Sequence, residues 1–266
     1  MYPIISSLQN QTIKNIQKLE KSAERRSQKL FIVEGAREIS IAFLSNFEIV
    51  QLYVCFDLVS ISSNSYQQII LDSATGFITE ITKPVFDKIA YRENSDGLLA
   101  VFKPKNLKIE ELVLPPNPFI LTIEGVEKPG NLGAMLRTAD AAKVDAVIIC
   151  DPKTDIYNPN VIRSSIGCVF SQQIIIADSE SVYSFFRERQ IKIVATTPDA
   201  VHYYQNVDFT QSSSIIMGTE ATGLSDFWLK NSDEKIKIPM RGLIDSLNVS
   251  TSAAIFVFEA MRQRGF

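Results

Sequence analysis

Histidine is almost absent from this chain of 266 residues, which contains only His202. A metal site built from several histidines is therefore excluded, and a Ser-His-Asp triad would need that single residue. His202 is followed by two tyrosines, a context in which a surface histidine is more common than a catalytic base. We predict no metal site.

Cysteine is also scarce. Cys55, Cys150 and Cys168 lie far apart in the sequence, form no CxxC pair and are odd in number. Neither a disulfide framework nor a thiolate zinc site is indicated by this pattern. We expect three buried free thiols in a reducing compartment.

Long apolar runs are missing, since no segment approaches the roughly 18–20 residues that a membrane-spanning helix needs. The first eleven residues lack the basic and apolar regions of a signal peptide. The net charge of −3 provides no overall positive field, and the 45% hydrophobic content argues against disorder. A soluble cytoplasmic protein is expected.

The first hundred residues alternate between helical and strand patterns, which predicts a small α/β domain. Apolar residues recur at helical spacing from Gln9 to Lys29, and this spacing predicts one continuous helix. Two further helices are predicted at Arg37–Leu44 and Pro84–Ala90. Short apolar runs predict strands at 30–33, 49–55, 77–81 and 98–102.

A stripe of basic residues follows one side of the predicted N-terminal helix: Lys14, Lys18, Lys21 and Arg25, spaced four, three and four residues apart. A charged stripe of this kind is usually a solvated helix face. The alternative is a set of phosphate contacts, which a local basic region can supply even on an acidic chain.

Residues 104–117 are rich in proline, which stiffens an extended chain and predicts a linker between domains. The predicted domains are therefore 1–103 and 118–266. In the second domain, strands without polar alternation are separated by helices, a pattern typical of a parallel sheet covered on both faces. Strands are predicted at Phe119–Ile123, Ala146–Cys150, Gln173–Ile176, Ile191–Ala195, Ser214–Met217 and Lys235–Ile238, and helices at Leu132–Lys143, Val161–Gly167, Ser181–Glu188 and Ser250–Gln263.

Three segments of this second domain follow predicted strands, where ligands bind in open parallel sheets. Residues 124–134 are glycine-rich and lead into a helix that carries Arg137. Residues 217–225 place two glycines and two threonines around Glu220, and residues 238–250 carry Ser246, Asn248 and Ser250 before the last helix. Each segment alone could simply be a turn or a helix cap.

The order of the three segments resembles the SpoU (TrmH) family of RNA ribose 2′-O-methyltransferases, a branch of the SPOUT superfamily, and the resemblance covers the whole chain. Residues 131–139, 218–225 and 238–250 are similar to the three family motifs, and 163–167 to a further segment. Residues 31–35 and 92–97 resemble an N-terminal RNA-binding domain with a fold similar to ribosomal protein L30e.

This resemblance implies a homodimer with a C-terminal trefoil knot whose walls bind S-adenosylmethionine. The backbone around five residues would hold that cofactor: Thr196, Gly218, Ile238, Met240 and Leu247. The catalytic set would consist of Arg137, Asn131, Glu220, Ser246 and Asn248. Arg137 would contact the RNA phosphate and the attacking hydroxyl, and the last helix would offer Ala253 and Ala254 to a partner subunit.

The resemblance also favours ribosomal RNA as the substrate and the basic stripe as its binding site. The chain departs from the family pattern at Lys128, where aspartate is frequent, at Ala221 and at Lys143. Three alternatives stay open: a transfer RNA substrate, methylation of a base nitrogen, and an RNA-binding protein of the same fold without catalysis.

Overall fold

The computed structural model describes residues 2–60, 66–92 and 95–265. The described residues form two compact units, the first made of Met1–Lys105 with Asp155–Ser171 and the second of Asn106–Thr154 with Gln172–Phe266. The predicted family segment at 92–97 includes positions 93 and 94, which lie outside the described residues.

The helices and strands are numbered in chain order. The strands are β1 Ile4–Ile5, β2 Phe31–Glu34, β3 Ile49–Val54, β4 Ile78–Ile81, β5 Leu98–Phe102, β6 Phe119–Glu124, β7 Ala146–Cys150, β8 Ile174–Ala177, β9 Lys192–Thr196, β10 His202–Tyr203, β11 Ser213–Met217 and β12 Glu234–Lys237. The α-helices are α1 Gln11–Lys18, α2 Ser22–Gln28, α3 Ala36–Leu44, α4 Tyr66–Ser73, α5 Lys83–Ile89, α6 Pro129–Ala141, α7 Pro159–Ser164, α8 Cys168–Ser171, α9 Ser179–Glu188, α10 Asp226–Asn231 and α11 Val249–Arg264.

The first unit contains a five-stranded sheet in the order β1-β4-β3-β5-β2. Strand β5 runs antiparallel to both of its neighbours, whereas β1, β3 and β4 are parallel to one another. Apolar residues of α1 and α5 pack beneath the sheet together with Ile32 and Leu99. The predicted small α/β domain is therefore confirmed.

The predicted continuous helix from Gln9 to Lys29 is wrong. The chain forms α1 and α2 with a break between them, and the side chain of Arg25 explains the break. Its guanidinium donates to the carbonyl oxygens of Leu19 and Glu20, at 2.8 and 2.7 Å. In an unbroken helix these carbonyls would instead accept hydrogen bonds from backbone N–H groups of the next turn.

The second unit contains a seven-stranded sheet in the order β10-β12-β9-β11-β6-β7-β8, and every pair of neighbours is parallel. Strands β6, β7 and β11 are buried along their whole length. Phe186 of α9 and Trp228 of α10 belong to one apolar cluster with this sheet, while α11 packs against α6 and β11. The predicted parallel α/β architecture is confirmed.

One segment of the predicted second domain, Asp155–Ser171, packs in the first unit instead. The carboxylate of Asp155 accepts a hydrogen bond from Arg25 Nε at 2.7 Å. The ring of Tyr157 stacks on Phe31 with centroids 4.3 Å apart, and its hydroxyl bonds to the backbone of Lys105. Buried charge and aromatic contacts thus join two stretches that are distant in sequence.

Among the residues that the structure describes, no helix is both long enough and apolar enough to cross a lipid bilayer.

Candidate active site

A cleft of about 390 Å³ opens in the second unit where three neighbouring strands end. Strands β12, β9 and β11 are adjacent and parallel, so the loops that follow them meet at one edge of the sheet. Ligands of open parallel sheets bind at such an edge, and the volume lies in the range of small-molecule sites.

The lining of the cleft combines an apolar wall with a polar rim. All five predicted cofactor-binding residues line it, together with Glu220 and Ser246 from the predicted catalytic set. The apolar side chains in the lining include Leu224, Leu229, Ile236, Val249 and Phe256, and the charged ones are Asp199, Glu220, Lys237 and Asp245. This composition suits a ligand that carries both a flat apolar group and positive charge.

The loop after β11 is folded tightly on itself. Backbone hydrogen bonds join Thr219 and Gly223 in both directions, at 3.0 and 3.2 Å. A Cβ atom at Gly218 would lie 2.3 Å from the carbonyl carbon of Gly223, a distance that no side chain tolerates. Only glycine at position 218 therefore permits this loop, which forms one wall of the cleft.

Four polar side chains at the rim form what we call the Glu220 cluster: Lys128, Asn131, Glu220 and Asn248. One carboxylate oxygen, Oε1 of Glu220, accepts from the amides of Asn131 at 2.5 Å and Asn248 at 2.8 Å. The other oxygen, Oε2, accepts from the ammonium of Lys128. The cluster therefore joins three of the segments that the sequence singled out.

The starts of two helices position three members of this cluster. Asn131 lies in the first turn of α6, and Lys128 is the residue that precedes the helix. Asn248 caps α11, since its Oδ1 accepts from the backbone N–H of Ser250 at 3.0 Å and from the Ser250 hydroxyl at 2.6 Å. The cap uses only the Asn248 oxygen, so the side-chain NH₂ group donates to Glu220. Hydrogen bonds at both the oxygen and the nitrogen therefore fix the Asn248 side chain.

The carboxyl group of Glu220 is held in its ionised form. The hydrogen bond from Lys128 lowers its pKa most, and the Asn131 amide adds to the effect, while partial burial acts in the opposite direction. An ionised carboxylate with three donors is a poor proton acceptor and a good orienting group. These three hydrogen bonds are typical of a carboxylate that orients its neighbours.

Arg137 does not join these residues. It lies on α6 about 9 Å along the helix axis from Asn131, at 1.5 Å per residue, and it is exposed. It does not line the cleft. Within the described part of the chain, its guanidinium has no hydrogen-bond or ion-pair partner. The structure thus unites Asn131, Glu220 and Asn248 with Ser246 nearby, and leaves Arg137 apart.

The predicted basic stripe is only partly present. Lys18 and Lys21 are exposed and Lys14 is half-buried, but Arg25 is 4% exposed and bound to Asp155. The prediction of Arg25 as an RNA contact is therefore wrong, because its guanidinium is already occupied within the fold. RNA binding by Lys14, Lys18 and Lys21 stays a prediction.

Lys128 is the member of the Glu220 cluster that sequence reasoning missed. It was visible only as a departure from the family pattern, and its contact with Glu220 spans 92 positions. The cysteines agree with expectation: within the described residues all three are buried and none forms a disulfide, and burial raises the pKa of the Cys150 thiol. His202 is exposed on β10.

Fold and site together define a parallel α/β protein with a small-molecule cleft built from loops at the carboxyl edge of its sheet. A family model described as the SpoU rRNA Methylase family matches residues 118–258, and one described as an MRM3-like substrate binding domain matches residues 10–100. The first match covers more than half of the chain. The chain belongs to the SpoU rRNA methylase family.

Similar proteins span most of this chain. The 23S rRNA (guanosine-2′-O-)-methyltransferase RlmB of Vibrio vulnificus is 34% identical over 193 residues, 70% of this chain and 78% of that protein. The 23S rRNA (guanosine(2553)-2′-O)-methyltransferase RlmP of Bacillus subtilis is 29% identical over 96% of this chain and 97% of its own length. A solved structure of an RNA 2′-O ribose methyltransferase is 37% identical, covers 99% of this chain and 100% of its own, and has a TM-score of 0.85.

Proposed function

We propose that this protein transfers a methyl group from S-adenosylmethionine to a ribose 2′-hydroxyl of ribosomal RNA. The observation that carries the proposal is the Glu220 cluster at the rim of the cleft, where polar groups from three separate segments converge. Family membership adds the reaction class, and the relatives named above are methyltransferases of 23S rRNA.

The cleft fits the proposed cofactor. Its apolar wall, with Leu224, Ile236 and Phe256, suits an adenine ring, and its carboxylates suit a ligand with an ammonium and a sulfonium group. Backbone around Thr196, Gly218, Ile238, Met240 and Leu247 would hold it, and Gly218 lets the loop backbone approach closely. When bound, the cofactor supplies a methyl group activated by the positive sulfur.

The chain's own residues then orient the acceptor. Asn131 and Asn248 donate to Glu220 and thereby fix the amide groups that face the ribose, with the Ser246 hydroxyl on the same rim. Arg137 anchors the adjacent phosphate and stabilises the negative charge that develops on the attacking oxygen. A guanidinium is a donor only, so this electrostatic role suits it better than proton removal.

A homodimer is part of this proposal. The support for it is that Arg137 is exposed and lies outside its own cleft, so a second copy is needed to bring it to the reacting group. The exposed apolar side chains of Leu243, Ile244 and Phe258 offer a surface for that copy. Ala253 is fully buried within its own chain, which corrects the expectation that it faces the partner.

The remaining features follow from family membership. We infer that the C-terminal segment forms the trefoil knot, which the meeting of residues 218–224 and 238–247 in one cleft supports. The residues of the first unit provide the RNA-binding surface, in agreement with the substrate-binding family model. Domain limits of 1–103 and 118–266 are proposed, with 104–117 as the linker and with residues 155–171 of the second domain packed in the first unit. A cytoplasmic location completes the proposal.

The test is transfer of a labelled methyl group to RNA from cells that lack this protein, followed by mapping of alkali-resistant nucleotides. A 2′-O-methyl group blocks alkaline cleavage, so we expect a single resistant site in ribosomal RNA. A resistant site in transfer RNA instead would identify transfer RNA as the substrate. Label without alkali resistance would indicate a base nitrogen, and no transfer without cofactor binding would indicate a non-catalytic RNA-binding protein.

A further inference from the structure

Lys128 occupies an unusual position at the proposed active site. It immediately precedes α6, and its ammonium pairs with Glu220 across 92 positions of sequence. The side chain of Lys128 is 72% exposed, whereas that of Glu220 is 26% exposed. An ion pair on a protein surface contributes little to stability, so stability alone gives no strong reason for this contact.

The geometry of the carboxylate shows what the contact does. Oε1 of Glu220 accepts from both asparagine amides, while Oε2 accepts from Lys128. A carboxylate rotates about its last bond, and a cation on one oxygen fixes that rotation. The remaining oxygen is then held where the Asn131 and Asn248 amides reach it.

The charge state of Glu220 matters for the same reason. If Glu220 were protonated, one of its oxygens would carry a hydrogen. That oxygen would then face a donor, either the Lys128 ammonium or an asparagine amide, and its hydrogen bond would be weakened or lost. The cluster is therefore complete only while Glu220 is ionised. The other charged groups that line the cleft are Asp199, Lys237 and Asp245. Among the charged side chains at the cleft, Lys128 is the cation in direct contact with Glu220.

We propose that Lys128 is a positioning residue for methyl transfer, which acts through Glu220 to hold the amides of Asn131 and Asn248 in place. This inference rests on the proposed function for its kinetic consequence. The contact between Lys128 and Glu220 is independent of the proposed function, because the ionisation of Glu220 can be measured without substrate or cofactor.

Three variants separate this role from other roles. Lys128→Met removes the charge at nearly constant length, and Lys128→Arg restores a cation. Lys153→Met is the matched control, since Lys153 makes an exposed ion pair with Glu127, the residue next to Lys128 in sequence. It does not touch Glu220.

The first measurement follows the Glu220 carboxyl carbon by NMR in ¹³C-glutamate-labelled protein, with Glu220→Gln for assignment. We expect the pKa of Glu220 to lie below its ordinary value in the unmodified protein and with Lys153→Met. With Lys128→Met it should rise, and Lys128→Arg should bring it back. An unchanged Glu220 titration in Lys128→Met would overturn the proposal whatever the enzyme's activity.

The second measurement is kcat for methyl transfer against pH, with RNA and S-adenosylmethionine both saturating. Lys128→Met should lower kcat about tenfold, equal to about 1.4 kcal/mol of transition-state stabilisation, and move the acidic limb of the profile toward neutral pH. Lys128→Arg should recover most of the loss. The KM for S-adenosylmethionine should change less than about twofold, in keeping with a role outside cofactor binding.

Two results would contradict the positioning role. If Lys128→Met raises KM for RNA and lowers its salt dependence while kcat and the pH profile stay unchanged, Lys128 is a direct phosphate contact. If Lys128→Met and Lys153→Met reduce kcat equally, the effect is structural. An inactive unmodified protein whose Glu220 still responds to Lys128→Met would refute the proposed function and leave the positioning contact intact.

Discussion

The two units use a basic side chain paired with a carboxylate in opposite ways. In the first unit, Arg25 is buried, donates to two backbone carbonyls and binds Asp155. In the second, Lys128 is exposed and binds Glu220 at the rim of a cleft. Arg25 is a buried donor to acceptors within its own unit, whereas we propose that Lys128 orients groups at the rim of the cleft. We therefore expect the buried pair to contribute to folding and the exposed pair to contribute to the proposed function.

The largest effect that this comparison predicts is on stability. Arg25→Leu leaves Asp155 and the carbonyls of Leu19 and Glu20 without their donor, and we expect a loss of about 3–5 kcal/mol in the free energy of unfolding. Denaturant unfolding measures it. The control is Arg26→Leu at the neighbouring exposed position, which should change stability by less than about 1 kcal/mol. Equal effects of the two variants would show that the Arg25 contacts carry no special weight.

A smaller effect is expected from the three lysines that remain of the basic stripe. The combined variant Lys14→Gln, Lys18→Gln and Lys21→Gln should weaken RNA binding about tenfold at 0.15 M salt. The slope of log affinity against log salt concentration should fall by about two, because about two fewer ions are released on binding. Fluorescence anisotropy with labelled RNA measures both quantities. The affinity for S-adenosylmethionine should stay unchanged.

A control with the same loss of charge uses exposed lysines of the second unit: Lys108→Gln, Lys230→Gln and Lys235→Gln. If this variant weakens RNA binding as much as the stripe variant does, general electrostatic attraction explains the effect and the stripe is no binding site.

The smallest effect concerns the stability contributed by the exposed pair. Lys128→Met should lower the free energy of unfolding by less than about 1 kcal/mol at neutral pH. Glu220 has a lowered pKa in the folded protein, so its contribution is present above the unfolded pKa and lost as pH falls through the folded pKa. The difference between the two proteins should thus disappear in acid, as denaturant titrations at several pH values would show. A difference that grows in acid contradicts the assignment.

The fold was more predictable than the details that depend on distant contacts. Strands such as β6, β7 and β11 are continuous apolar runs, because both faces of a parallel sheet are covered, and a local pattern suffices to find them. The break between α1 and α2 was invisible, since it depends on Arg25 and its partner Asp155, 130 positions away. The short helix α10, Asp226–Asn231, was also missed.

The site divides in the same way. Loops after parallel strands must meet at one edge of the sheet, so Gly218, Glu220 and Asn248 could be predicted to lie together. Lys128 could not, because nothing in its local sequence indicates a carboxylate 92 positions away. The separation of Arg137 from Asn131 was partly accessible, because six residues at 3.6 per turn place the two about 120° apart around α6.

The central claim is that the cleft beside the Glu220 cluster binds S-adenosylmethionine, and isothermal titration calorimetry with the cofactor tests it directly. The unmodified protein should bind one equivalent per chain. Gly218→Ala should abolish binding, because the new Cβ would collide with the backbone of Gly223, while Gly130→Ala should bind normally, since a Cβ there meets open space. Binding that survives Gly218→Ala unchanged, or its absence from the unmodified protein, would contradict the account.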